Sequence, residues 1–374
     1  MESKVSPELD ALRGASAIVV AVAHYIQIWV APSFSYSSLT SEISGLAATY
    51  AVVVFFVLSG FMIALSMVRH CDSVGRLHSL EFFKARFFRL IPPYYFAVVF
   101  SIAIVSLIQV FGLYGSVSYR LPADLDIARE VAFVNKRDII WSVLLFYGVL
   151  DGVGRSLYFD GPLWSLSIEW WLYILAVVGG HAWTNRSGYM GGVFLVAIAL
   201  LVVAGDSAFI MFGTVWLIAF GAGLAYSRGA RLDTMACWSI VAISLVVAAA
   251  LTFHDLWKML LDRSPATIIG GGIAITAIVV WRADTASSES GFATLLAPSA
   301  NWSYTLYLVH FPILLLGFSL TRLLVHPYGW AAECATGFFW LVAAIVFSIM
   351  FAPVIENRRA IRDWFEKMIP VLAR

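Results

Sequence analysis

The chain has 374 residues, 61% of them hydrophobic and 13% charged, with a mean hydropathy of +0.86. A soluble protein of this length carries roughly twice that charged fraction and has no single core able to hide so much apolar surface, so the composition specifies a polytopic membrane protein. A formal net charge of +1 excludes bulk attraction to nucleic acid, and Cys71, Cys237 and Cys334 show neither disulfide nor metal spacing.

The first element runs from Glu8 to Val30, an apolar helix long enough, with its polar lead-in, to cross a bilayer. Glu2, Glu8 and Asp10 interrupt the lead and no small-residue cleavage site follows, so the segment is expected to be retained rather than removed as a signal peptide. A second apolar segment spans about Leu46 to Val68. The most basic stretch follows, with Arg69, Arg76, Lys84, Arg86 and Arg89, and the positive-inside rule makes it cytoplasmic. The third helix is expected to start after Pro92 and Pro93, which suit a first helical turn, and to end near Phe111.

From Gly112 to Pro162 the composition is mixed, and its one apolar piece, Ile139 to Leu150, is too short to span; it reads as a re-entrant or interfacial helix in an outer loop. Further spans are expected near Leu163–Val178, Tyr189–Ala204, Ala208–Tyr226, Ala236–Phe253, Ala266–Trp281, Ser303–Leu324 and Ala331–Val354. The pattern therefore predicts an all-α integral membrane protein of about ten transmembrane helices, a single domain over residues 1–374, with both termini cytoplasmic.

Ionisable side chains within these spans are expensive, and normally face a cavity where they act. His24 and His310 are the two histidines expected at hydrocarbon depth, and Glu169 joins them from the fourth helix. Arg13 lies eleven residues before His24, about three helical turns and roughly 16 Å, so the two share a face. Ser303, Tyr307 and His310 share another. Histidine suits proton transfer near neutrality, although a buried histidine also serves as a hydrogen-bonded packing residue. Arg86 and Arg89, three apart on one helical face, can grip phosphates bidentately; the alternative is a topology signal or an anionic-lipid contact. A metal held by His24, His310 and Glu169 is disfavoured because the three sit on separate helices at unlike depths, and no metal is expected.

LDALRG followed by His24, then FFVLSGF, RFFRLIPPYY, GPLWSLSIEWW and SYTLYLVHFP, resembles in order and spacing the membrane-bound acyltransferase 3 family over nearly the whole chain. The resemblance implies transfer of an acyl group, usually acetyl, from cytoplasmic acetyl-CoA or another acyl-CoA to a hydroxyl of a carbohydrate or glycolipid acceptor, in a bacterial inner membrane. It implies His24 as the catalytic histidine, Arg13 as its signature arginine, and Arg86 and Arg89 as donor-side residues. Glu169 is expected to approach from the outer side and orient His24 or the acceptor, and His310, Tyr307 and Trp164 stand as further candidates. The expected partners are membrane lipids, the acyl-CoA and the acceptor, with no nucleic acid. A transporter or flippase of a lipid-linked sugar or small metabolite is the competing class, suited by buried histidines and a buried carboxylate.

Overall fold

The opening apolar stretch forms α1 (Pro7–Tyr25) and passes directly into a single π turn, Ile26–Val30, so His24 sits at the junction of α and π geometry. Such widened turns recur at functional sites. The computed structural model describes residues 7–34, 39–115, 134–153, 160–252, 263–285 and 291–368. Within them follow α2 (Leu39–Val74), α3 (Ser79–Val110), the short α4 (Lys136–Leu144), α5 (Trp164–Thr184), α6 (Gly188–Ala204) and α7 (Ser207–Ser227). The chain continues through α8 (Thr234–Thr252), α9 (Pro265–Thr285), α10 (Gly291–Leu296), α11 (Ser303–Val325), α12 (Trp330–Ile355) and α13 (Arg358–Met368). Among the described residues there is no strand, only one isolated bridge between Leu150 and Gly205. The all-α reading therefore holds.

Nine of the described helices are long and apolar enough to cross a membrane, and α6 is a shorter apolar helix of 17 residues. Parity decides what α6 does. Arg13 near the start of α1 and Arg358 just beyond α12 line one cavity, so the chain enters and leaves the bundle at the same end. That requires an even number of crossings. At ~1.5 Å per residue α6 is about 25 Å long, the short limit for a spanning helix, and it supplies the tenth. The nine residues of α4 reach only about 13 Å. Of the loop 112–162 that surrounds α4, residues 116–133 and 154–159 lie outside the described ones.

One expected boundary is overturned. α3 begins at Ser79, and Pro92 and Pro93 lie inside it rather than at its first turn. Prolines survive within membrane helices where neighbouring groups satisfy the backbone they disturb. Tyr304 Oη donates to Leu90 O at 3.1 Å and ties α11 to α3 beside the prolines, although the carbonyls that the prolines release are those of Phe88 and Arg89. The consequence is that Arg86 and Arg89 sit on a continuous helix, in the turns just before the prolines.

α11 occupies the centre of the bundle, its residues Thr305 to Leu315 all buried. It is apolar almost all round, as a fully enclosed helix must be. α1, α3 and α12 pack around it, and α2 pairs closely with α7. At Gly223 a Cβ would come 2.8 Å from Phe61 O, so only glycine lets α7 approach the α2 backbone that closely.

Candidate active site

α1 and α11 run side by side in the same direction, because Arg13 Nη2 donates to Ala300 O (3.2 Å) just ahead of α11 and the two helices meet again at His24 and His310. His24 Nδ1 lies 3.0 Å from His310 Nε2, and His310 Nδ1 lies 2.8 Å from Leu306 O. A carbonyl can only accept, so His310 Nδ1 carries a proton. With both rings neutral, His310 Nε2 is then the acceptor and His24 Nδ1 the donor. The lone pair of His24 is left on Nε2, the tautomer a general base needs. His24 is 7% exposed and His310 fully buried, and Phe311 packs edge-on against His24 at 5.5 Å.

Below this pair, toward the end where α1 begins, lies a cavity of about 180 Å³ lined by Arg13, Arg86, Arg89, Glu169 and Tyr307. Arg86 Nη2 donates to Ser66 Oγ, and its guanidinium lies 4.8 Å from the centre of the Phe82 ring. The Nε atoms of Arg13 and Arg86 are buried with no partner among the described groups. Glu169 accepts hydrogen bonds from Ser59 Oγ (2.7 Å) and Tyr173 Oη, and Trp216 Nε1 in turn donates to Ser59 Oγ (3.2 Å). Tyr307 Oη donates to Pro162 O (2.9 Å), and its ring lies 6.1 Å from that of His310. One side chain thus connects the cavity to the histidine pair.

Glu356, just past α12, accepts from the backbone N (2.9 Å) and Oγ1 (2.7 Å) of Thr305, compensating the N-terminal N–H groups of α11 with a carboxylate from a distant helix. Burial pushes the Glu356 carboxyl above its usual value, opposed by these hydrogen bonds and by Arg13 and Arg358.

Residues far apart in the chain are thereby assembled: His24 with His310, and Arg13 with Arg86, Arg89, Glu169 and Tyr307. Two placements differ from expectation. Glu169 shares the cavity of the arginines instead of reaching in from the opposite end, because α5 starts deep in the bundle: Gly161 abuts Phe311, and Pro162 is tied to Tyr307. Trp164 does not line the cavity; it packs on Phe212 at 5.1 Å. The sequence reading did not single out Ser59, Tyr173 and Glu356. Ser59 lies within FFVLSGF and Tyr173 one turn after Glu169, so spacing alone carried a signal for both, whereas Glu356 lies outside every motif quoted above.

The family model described as "Acyltransferase domain" matches residues 6–356. Acyltransferase MdmB of Streptomyces mycarofaciens is 25% identical over 382 residues, covering 94% of this chain and 90% of that protein. No solved structure matches. The match embraces every helix that contributes to the histidine pair and the arginine cavity, and the chain belongs to the acyltransferase 3 family, as a multi-pass membrane acyltransferase.

Proposed function

We propose that this protein moves an acyl group, acetyl in the simplest case, from acyl-CoA to a hydroxyl of a carbohydrate or glycolipid acceptor, across a bacterial inner membrane. The observation that carries this reading is the alignment of an arginine-lined cavity with a histidine pair directly beyond it, Tyr307 lying between them. The end bearing Arg86, Arg89 and Arg358 faces the cytoplasm by its positive charge. Arg86, Arg89 and Arg13 hold the donor's phosphates, Arg guanidinium forks being matched to that geometry. The pantetheine arm then runs inward along α1 toward His24, about 16 Å beyond Arg13.

The acceptor hydroxyl approaches from the opposite face. His24 Nε2 takes its proton as the oxygen attacks the thioester carbonyl; the carbon–sulfur bond breaks and the proton passes to the departing CoA thiolate. His310 holds His24 in the required tautomer and shares the charge that develops on it. Glu169, fixed by Ser59 and Tyr173, sets the position of the arginines by charge. No metal takes part in this scheme. The test is acyl transfer by purified protein in lipid nanodiscs, following thiol release from acetyl-CoA in the presence of an acceptor-containing extract, with mass spectrometry of cell glycans and lipids with and without the gene. An acyl increment that disappears with the gene, together with acceptor-dependent thiol release, supports the reading. Acceptor flux without thiol release would make the protein a carrier.

A further inference from the structure

A second concavity, of about 1050 Å³, opens beside the first at the same end of the molecule. Among the described residues, Arg76, Lys84, Arg358, Arg359 and Arg362 line it together with the carboxylate of Glu81. These cations come from three separate elements: the turn before α3, α3 itself, and α13. Convergence of this kind builds a site for a compact polyanion, the phosphate chemistry that a nucleotide and a lipid headgroup share. The walls are fixed. Phe365 packs on Phe88 at 5.8 Å, holding α13 against α3, and Ser79 Oγ lies 2.6 Å from His181 Nδ1, joining the start of α3 to the end of α5.

Arg358 lines both concavities. The first turns of α3 likewise serve both, with Lys84 on the outer basin and Arg86 and Arg89 on the inner cavity. We propose that the basin holds the nucleotide end of the acyl-CoA, its 3′-phosphomonoester against Arg359, Arg362 and Arg76, while Arg358 marks the passage through which the pyrophosphate and arm continue to Arg86 and Arg89. The assignment rests on the donor reading above. A phosphomonoester carries about −1.5 to −2 charge at neutral pH, so it is the part of the donor that gains most from five cations. α13, which adds no membrane crossing, is on this account part of the substrate site.

The experiment compares CoA with 3′-dephospho-CoA on the full-length chain in nanodiscs of zwitterionic lipid, by calorimetry. Wild type should prefer CoA by about tenfold or more, the scale of a charge-assisted contact. The Arg359→Gln, Arg362→Gln double variant should lose that preference while keeping its affinity for dephospho-CoA. Arg76→Gln, on a different element, should reduce the preference independently of any damage to α13. Arg86→Ala should weaken both ligands together and leave their ratio intact. Equal wild-type affinities, or a preference that survives in the double variant, overturns the basin assignment. So does CoA binding that the double variant leaves unchanged while binding of short-chain phosphatidylglycerol is lost, since the basin is then a lipid site. Failure of the donor reading looks different: wild type then binds neither ligand and releases no thiol.

Discussion

His24 and His310, 286 residues apart in the chain, share a hydrogen bond of 3.0 Å between Nδ1 and Nε2. Because Leu306 O engages the other nitrogen of His310, this contact defines a polarity: proton on His24 Nδ1, lone pair on His24 Nε2. In the proposed mechanism the pair is a base and its orienter, an arrangement in which geometry fixes the tautomer.

On the proposed mechanism, replacing His24 by Ala removes the base. General base assistance is worth about 10² to 10⁴ in rate, and acyl transfer should fall by that order while CoA affinity stays within about twofold. Turnover near the wild-type level, measured as thiol release in nanodiscs, would remove His24 from the chemistry.

His310→Ala tests positioning. Loss of an orienting partner that fixes the tautomer of a catalytic histidine can cost as much as ~10⁴ in kcat, and a loss of at least ~10² is expected here with donor KM unchanged. His310→Gln retains a donor and an acceptor on one side chain and should recover part of the rate. A variant that loses thermal stability but not kcat would show that His310 only packs.

Sidedness is tested by single cysteines in a background lacking the native three. Asp151→Cys, in the exposed turn after α4, should react with an impermeant maleimide in intact cells, whereas Ser227→Cys, at the end of α7, should react only after permeabilisation. Labelling of Ser227→Cys from outside would invert the proposed orientation and place the basic cavities away from cytoplasmic CoA.

Glu356 gives a pH dependence of stability. Its folded-state carboxyl lies above its ordinary value of 4.5, first because of burial, so the native state binds this proton more readily than the unfolded chain. Stability from this group therefore falls as pH rises from the unfolded value through the raised one. Glu356→Gln keeps the acceptor for Thr305 and removes the titration, so its apparent Tm in nanodiscs should decline less than that of wild type between pH 4.5 and 8. Parallel declines would show that Glu356 does not contribute.

The class of the protein and the positions of its spans were legible in the sequence, because the cost of exposing polar backbone to hydrocarbon forces long apolar helices whose signal is local. His24, His310 and Glu169 stood out for the same reason: each is an ionisable group within an apolar span. The spacing of Arg13 from His24 was also local, since a helix converts sequence separation into distance along one face. Partnership was not. Whether His24 meets His310 or Glu169 depends on how α1, α5 and α11 are set against each other, and in particular on α5 starting deep in the bundle beside Phe311. The prolines of α3 misled a local reading because a double proline also suits a first helical turn, and only the surrounding bundle lets the helix continue through it. Glu356 and the α13 arginines lie outside every motif in the sequence; only folding carries them back to the starts of α1 and α3, where an even number of crossings makes a charged segment the wall of two concavities.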